Sequence, residues 1–285
     1  MRIGTRGSAL ALAQAGQVAA ALGPQAELVT ITTAGDRSAG VGDKERWVRE
    51  LDAALLDGRI DAAVHSAKDV PAVLPEGLTI GAVPARAAAA DVLCGAPSLD
   101  ALSPGARIGT ASLRRAAQLR ALRDDLAVTD LHGNVDTRLR RLHAGEYDAI
   151  VLGHAGLQRL GLDHEVTGVL TQLVPCAGQG ALAVAVRTGE AQAVAGLDDA
   201  DAHACLRAER AVVLRLEADC STPMGAYATI GERGAMTLTT FVGSVDAAAW
   251  VRDTLTGEPG EDPARLGTRA AERLLAAGAA EVLGR

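Results

Sequence analysis

The sequence predicts an α/β protein made of two α/β domains and a small C-terminal α+β domain. Three observations carry that reading. Short apolar or β-branched runs alternate with Ala/Leu-rich stretches of helical spacing through the first two thirds of the chain, which is the pattern of βαβ units and a largely parallel sheet. A Pro/Ser/Gly-rich stretch, Ala96–Gly105, interrupts that alternation, which then restarts. The last third turns β-rich and closes in one helix. At 285 residues the chain is long enough for two or three domains with cores of their own.

The elements follow in order. Arg2–Thr5 reads as a strand, and Ala9–Leu22 as a helix stopped by Gly23-Pro24. Leu28–Thr33 is β-branched and strand-like. Arg46–Leu56 places apolar residues at 47, 48, 51, 54 and 55, a helical spacing that Gly58 ends. Asp61–His65 is an apolar strand, followed by strands at Leu78–Val83 and Val92–Gly95. After the expected domain crossing come strands at Arg107–Gly109, Ala127–Leu131 and Ala149–Leu152, alternating with helices at Leu113–Leu122, Val135–Leu142 and Ala155–Leu160. Leu173–Gly180 is a Pro/Gly loop, and Ala181–Val186 a returning strand. A long helix runs from about Asp201 to Leu216. Strands at Tyr227–Ile230, Met236–Gly243 and Ala248–Thr254, with a helix near Pro263–Ala277, make the last domain.

Composition narrows the function. The net charge of −7 argues against phosphate-backbone binding, and five aromatic residues in the whole chain argue against stacking on single-stranded nucleic acid. There is no run of about 18 apolar residues, so no transmembrane helix is expected. Met1-Arg2-Ile3 leads into strand-like sequence with no leader pattern, and four scattered cysteines form neither a disulfide framework nor a metal motif. A cytoplasmic protein without nucleic-acid or membrane partners is the expectation. Lys44 and Lys68 are the only lysines among 28 basic residues, the rest being arginine.

Open α/β sheets bind ligands at the carboxyl ends of their strands. Polar clusters sit at four such ends: Thr5-Arg6-Gly7-Ser8, Ser66-Ala67-Lys68-Asp69, Gly109-Thr110-Ala111-Ser112-Leu113-Arg114-Arg115, and His132-Gly133-Asn134 with Arg138 a turn later. Helix N-termini suit anions, and guanidinium forks suit carboxylates or phosphates. Any one arginine here, taken alone, reads first as a surface residue, while Ser8 and Ser112 read equally well as plain helix caps and Lys68-Asp69 as a local ion pair. Taken together, the clusters predict a cleft between two domains that holds a small polyanion. Asp69, a carboxylate among cations, favours an enzyme over a pure anion-binding module, because it would stay ionised and stabilise a cation or relay a proton. Cys94 and Cys205 read as core residues. Cys176 and Cys220 lie in loops, and either could be a nucleophile or attachment point. Spacing does not choose between them.

The chain resembles the porphobilinogen deaminase (hydroxymethylbilane synthase) family almost end to end. The resemblance is carried by RIGTRGSALALAQA at 2–15, HSAKDVP at 65–71, GTASLRRAAQL at 109–119, HGNVDTRLRRL at 132–142, EYDAIVLGHAGLQRLGL at 146–162, PCAGQGAL at 175–182 and ERAVVLRLEADCSTPMGAYA at 209–228. It implies two domains like type-2 periplasmic binding proteins and a small third domain. The expected limits are 1–97 with 180–199, then 98–179, then 200–285. It implies a monomer that joins four porphobilinogen molecules head to tail with loss of ammonia and releases hydroxymethylbilane. The chain would grow on a dipyrromethane cofactor held by a thioether, and Cys220 matches the attachment residue. Asp69 matches the catalytic aspartate. Lys68 matches a carboxylate-binding lysine, and Lys44 one in the segment that covers the cleft. Arg6, Arg114, Arg115, Arg138 and Arg159 match arginines for cofactor and substrate carboxylates, with Ser8, Ser66, Thr110, Ser112, Asn134 and Gln179 as supporting groups. No metal is implied. Departures stand at His132, where the family has arginine, at Ala218-Asp219 in place of Gly-Gly, at Glu45-Arg46-Trp47 in place of Gly-Leu-Phe, and at Ala111 in place of serine. The rival readings are a diverged non-catalytic paralogue that binds a small polycarboxylate, and a thiol enzyme using Cys176 or Cys220.

Overall fold

The structure is a computed structural model, and it describes residues 1–32, 45–219 and 221–285. Three sheets organise it. In the first, β1 (Arg2–Thr5) lies between β2 (Glu27–Thr30) and β3 (Ala62–Ser66), parallel to both. β10 (Leu182–Arg187) follows, antiparallel to β3 and to the edge strand β4 (Leu78–Ala82). The second sheet repeats the plan. β6 (Arg107–Gly109) lies parallel to β7 (Ala127–Thr129) and β8 (Ala149–Gly153), while β5 (Asp91–Cys94) runs antiparallel between β8 and β9 (Gly168–Leu170). The third is an antiparallel meander of β11 (Met224–Ile230), β12 (Met236–Gly243) and β13 (Trp250–Thr256).

The expected fold class holds, with two corrections. Each large sheet carries an antiparallel fourth strand, so neither is as parallel as the alternation suggests. The sequence boundary at 97 leaves Asp91–Cys94 with the first sheet, whereas its hydrogen bonds place it in the second. The chain therefore crosses within 83–90, where Pro84 is the one break signal before a mostly alanine run, and not in Ala96–Gly105. The reason lies in long-range pairing. Asp91 is buried and faces two arginines of the second sheet's first helix. Val83 fixes where the crossing starts: its N–H donates to Asp198 Oδ1 at 2.7 Å and its carbonyl accepts from Asp199 N at 2.9 Å.

The helices follow local chemistry. Helix α1 (Ala9–Leu22) starts on the Ser8 side chain, and Gly23 ends it at φ 90°. α2 (Glu45–Leu56) buries Leu51, Ala54 and Leu55 against Ile60 and Ala63. α3 (Leu113–Leu122) is capped by Ser112, and α4 (Val135–His143) starts at Asn134 without a side-chain cap. The short α5 (His154–Arg159) follows β8. α6 (Ala200–Arg215) and α7 (Pro263–Ala276) pack on one face of the meander, and α8 (Ala279–Val282) follows. α6 and α7 approach so closely that a Cβ at Gly267 would strike the Ala208 backbone.

Candidate active-site cleft

A cleft of about 440 Å³ opens where the three sheets' domains meet. The first domain contributes Lys68 and Asp69 from the 3₁₀ turn after β3, and the loop to Ala72. The second contributes Ser112, Arg114 and Arg115 at the start of α3, and Arg138 from α4. The return crossing adds Cys176 and Gln179, and the C-terminal part adds Arg210, Ala218, Asp219 and Thr222.

Asp91 organises the second domain's wall. It is fully buried and accepts from Arg114 Nη1 at 2.7 Å, Arg115 Nε at 2.9 Å and Gln179 Nε2 at 2.9 Å. Burial alone would raise its carboxyl, but the two facing guanidinium groups hold it well below the usual carboxylate range. Arg114 also donates to Val174 O at 2.7 Å, while its buried Nε has no acceptor. Arg138 differs. It donates to Gly133 O at 2.7 Å and has no carboxylate partner among the described residues. Burial, aided by the charge of Arg115, pushes it down to about 10. A guanidinium so placed gains from any anion that enters the cleft.

On the first domain's wall, Ser66 accepts from Gln14 Nε2 at 2.7 Å, which fixes the strand end before Lys68. Behind it His65 is buried. Desolvation pushes its imidazole down to about 4, against the opposing pull of Asp69 and with help from Arg6. The turn bearing Lys68 and Asp69 is held from two sides. Gly178, at φ 75°, comes so close that a Cβ would lie 2.7 Å from the Lys68 backbone nitrogen. Arg210 of α6 donates to the carbonyls of Val70, Pro71 and Ala72 at 3.3, 2.7 and 3.0 Å. Glu209 beside it is completely buried. It accepts from Arg86 Nη1 at 2.6 Å, Gly178 N at 2.7 Å and Ala228 N at 2.8 Å.

Of the residues singled out by sequence, Lys68, Asp69, Ser112, Arg114, Arg115, Arg138 and Gln179 line the cleft together. Arg6, Ser8, Ser66, Thr110, His132, Asn134 and Arg159 do not line it. Ser8 caps α1, and Thr110 is buried with its hydroxyl accepting from Ser112 N at 3.2 Å. His132 is exposed, 3.9 Å from Asp130. Arg159 donates to Gly180 O at 2.8 Å in the return crossing, and burial lowers its guanidinium. Lys44 and Cys220 lie outside the described residues, although Ala218, Asp219 and Thr222 on either side of Cys220 line the cleft. Sequence reasoning missed Asp91, Glu209, Arg86 and Arg210. Arg210 carries no local signal, since its acceptors lie about 140 positions earlier in the chain.

Comparison with known proteins agrees on one family. Residues 1–195 match "Porphobilinogen deaminase, dipyromethane cofactor binding domain" and residues 203–276 match "Porphobilinogen deaminase, C-terminal domain". The porphobilinogen deaminase of Brevibacillus brevis is 44% identical over 299 positions, covering 99% of this chain and 96% of that protein. That of Roseiflexus castenholzii is 44% identical over 300 positions, covering 99% and 98%. Among solved structures, the methionine binding protein MetQ covers 71% of this chain and 91% of its own at 14% identity and a TM-score of 0.45, too loose a likeness to bear on function.

Proposed function

The chain belongs to the porphobilinogen deaminase family, and on that premise we propose that the cleft is where it joins porphobilinogen units under the control of Asp69. The activity is stepwise, head-to-tail condensation of four porphobilinogen molecules with loss of ammonia at each step and release of hydroxymethylbilane. The enzyme is a transferase of tetrapyrrole biosynthesis with a dipyrromethane cofactor.

The residues present fit that cofactor. Each of its pyrrole rings brings two carboxylates, and the cleft wall presents Lys68, Arg114, Arg115, Arg138 and Arg210 against Asp69 and Asp219. The observation that carries the reading is Arg138, a half-buried guanidinium at the cleft with only a backbone acceptor among the described residues. When bound through Cys220, the cofactor supplies the end to which each new pyrrole is joined. Lys68 and Arg138 would take its carboxylates and the substrate's. Arg114 and Arg115, locked on Asp91, would present fixed N–H groups to the same anions. Asp69 would accept hydrogen bonds from pyrrole N–H groups and stabilise the positive charge that develops as ammonia departs. Arg6, Ser8, Ser66, Thr110, Ser112, His132, Asn134, Arg159 and Gln179 belong in this reading to the binding and supporting shell, Lys44 to the cleft's cover, and Cys220 to cofactor attachment.

We divide the chain into three domains according to its sheets, and take it as a cytoplasmic monomer acting on porphobilinogen without nucleic-acid or membrane partners. The acidic net charge supports the absence of nucleic acid, and no helix among the described residues is long and apolar enough to cross a membrane. The test is turnover of porphobilinogen to a linear tetrapyrrole with release of ammonia. Wild type should turn over, and Asp69→Asn should lose about 100-fold or more while unfolding at the same temperature. A fully active Asp69→Asn protein would sink the assignment.

A further inference from the structure

The loop that follows α6 is fixed on each side of position 220 by different means. Upstream, the helix end is closed by Arg285, which donates to Leu216 O at 2.7 Å and Glu217 O at 3.2 Å. Downstream, Gly243 N donates to Pro223 O at 3.0 Å and Ala226 N to Pro175 O at 2.9 Å, which anchors β11 to the return crossing. Across position 220 the links run to Asp219, whose backbone carbonyl accepts from Thr222 N at 3.2 Å and whose side chain adds the rest. Asp219 Oδ1 accepts from Ser221 N at 2.9 Å, Ser221 Oγ at 2.6 Å and Thr222 Oγ1 at 3.0 Å. In return, Asp219 N donates to Thr222 Oγ1 at 3.1 Å. Asp219 and Thr222 both line the cleft.

We propose that Asp219 is a positioning residue for cofactor attachment: its carboxylate ties residue 219 to Ser221 and Thr222 and so restrains the chain on both sides of the attachment position. The inference rests on the family reading above. The step it serves forms an S–C bond between the Cys220 sulfur and the aminomethyl carbon of a pyrrole while that carbon's C–N bond breaks. The thiol proton and the amine leave together as ammonia, so nothing is oxidised or reduced. Asp219 makes no bond in this step; it lowers the cost of ordering the residues that flank the attachment position.

The same contacts answer a question that Asp219 raises, because a carboxylate next to an acidic cofactor is repulsive unless its charge is met. The Ser221 hydroxyl, assisted by Thr222 and the Ser221 backbone, holds the Asp219 carboxyl below its usual range. Its charge is therefore satisfied by donors within the turn and does not require a cation of the cleft. An asparagine would keep an acceptor at Oδ1, whereas alanine would remove it.

The experiment uses full-length protein made in cells that produce no porphobilinogen, then incubated with porphobilinogen and followed by intact mass. Wild type and Asp219→Asn should load at similar rates, and Asp219→Ala about tenfold more slowly. The loading of Ser221→Ala/Thr222→Val should fall in the same way, which keeps the test available if Asp219→Ala folds poorly. Loading of Asp219→Ala at the wild-type rate would overturn the proposal. Asparagine as slow as alanine would overturn it too, because charge and not turn closure would then be at work. A wild-type protein that never loads would instead overturn the family reading on which the proposal rests.

Discussion

Glu209 and Arg86 form a buried fork at 2.6 and 3.2 Å that joins the first crossing to α6. The same carboxylate takes Gly178 N from the return crossing and Ala228 N from the meander, while Arg86 donates to Gln179 O at 2.9 Å and lies 4.9 Å over the Tyr227 ring. One ion pair thus ties both crossings to the C-terminal domain. Removing one partner strands the other charge in the interior. Glu209→Ala is expected to cost about 3–5 kcal/mol in urea unfolding, and the double variant with Arg86→Ala less than the sum of the two.

Arg138 should show the opposite balance. Its guanidinium sits at the cleft beside the like charge of Arg115, with no carboxylate among the described residues to offset burial. Arg138→Met is expected to leave unfolding unchanged or up to about 1 kcal/mol more favourable to the fold, while kcat/KM falls by about 10- to 100-fold. Loss of both stability and turnover would mean that the arginine serves structure.

Gly178 tests how the return crossing supports the catalytic turn. Its positive φ and its approach to the Ala67 and Lys68 backbone leave no room for a side chain. Gly178→Ala should cost about 2–4 kcal/mol and lower turnover by displacing Lys68 and Asp69. An unaltered kcat would separate the turn from the crossing.

His65 gives the fold a pH dependence. Its folded value of about 4 lies below its ordinary 6.5, so the unfolded chain binds the proton more readily. The stabilisation is full above pH 6.5 and is lost as pH falls towards 4, by about 3 kcal/mol at most. Urea unfolding at pH 7 and pH 5 should show the decline, and His65→Gln should flatten it.

The thiols separate as well. Burial pushes Cys94 up to about 12 and Cys205 up to about 11, whereas Cys176 lines the cleft with its Sγ 3.5 Å from Gln179 Oε1. Alkylation of the native, cofactor-loaded protein should label Cys176 and spare the other two. Cys176→Ala should keep its turnover, which distinguishes this account from a thiol enzyme using Cys176.

Helices marked by a cap or a stop signal were legible in the sequence: Ala9–Leu22 lies between Ser8 and Gly23, and Leu113–Leu122 starts at Ser112. Gly168–Leu170 was not, because it is an edge strand defined only by its pairing with Asp91–Leu93, more than seventy positions earlier. The sheet that Asp91–Cys94 joins was also hidden, since it depends on Asp91 meeting Arg114 and Arg115 from 23 and 24 positions away. The cleft was legible as clusters of cations at strand ends. The residues that hold those clusters still, Glu209 and Arg210, sit in an ordinary helical pattern and reveal themselves only through partners distant in sequence.

Intact mass of the purified protein, followed by peptide mapping around residue 220, tests the central claim most directly. The account predicts a mass excess equal to one dipyrromethane, located on Cys220. An unmodified chain that stays unmodified after incubation with porphobilinogen would contradict it and leave the cleft as a polycarboxylate-binding site without catalysis.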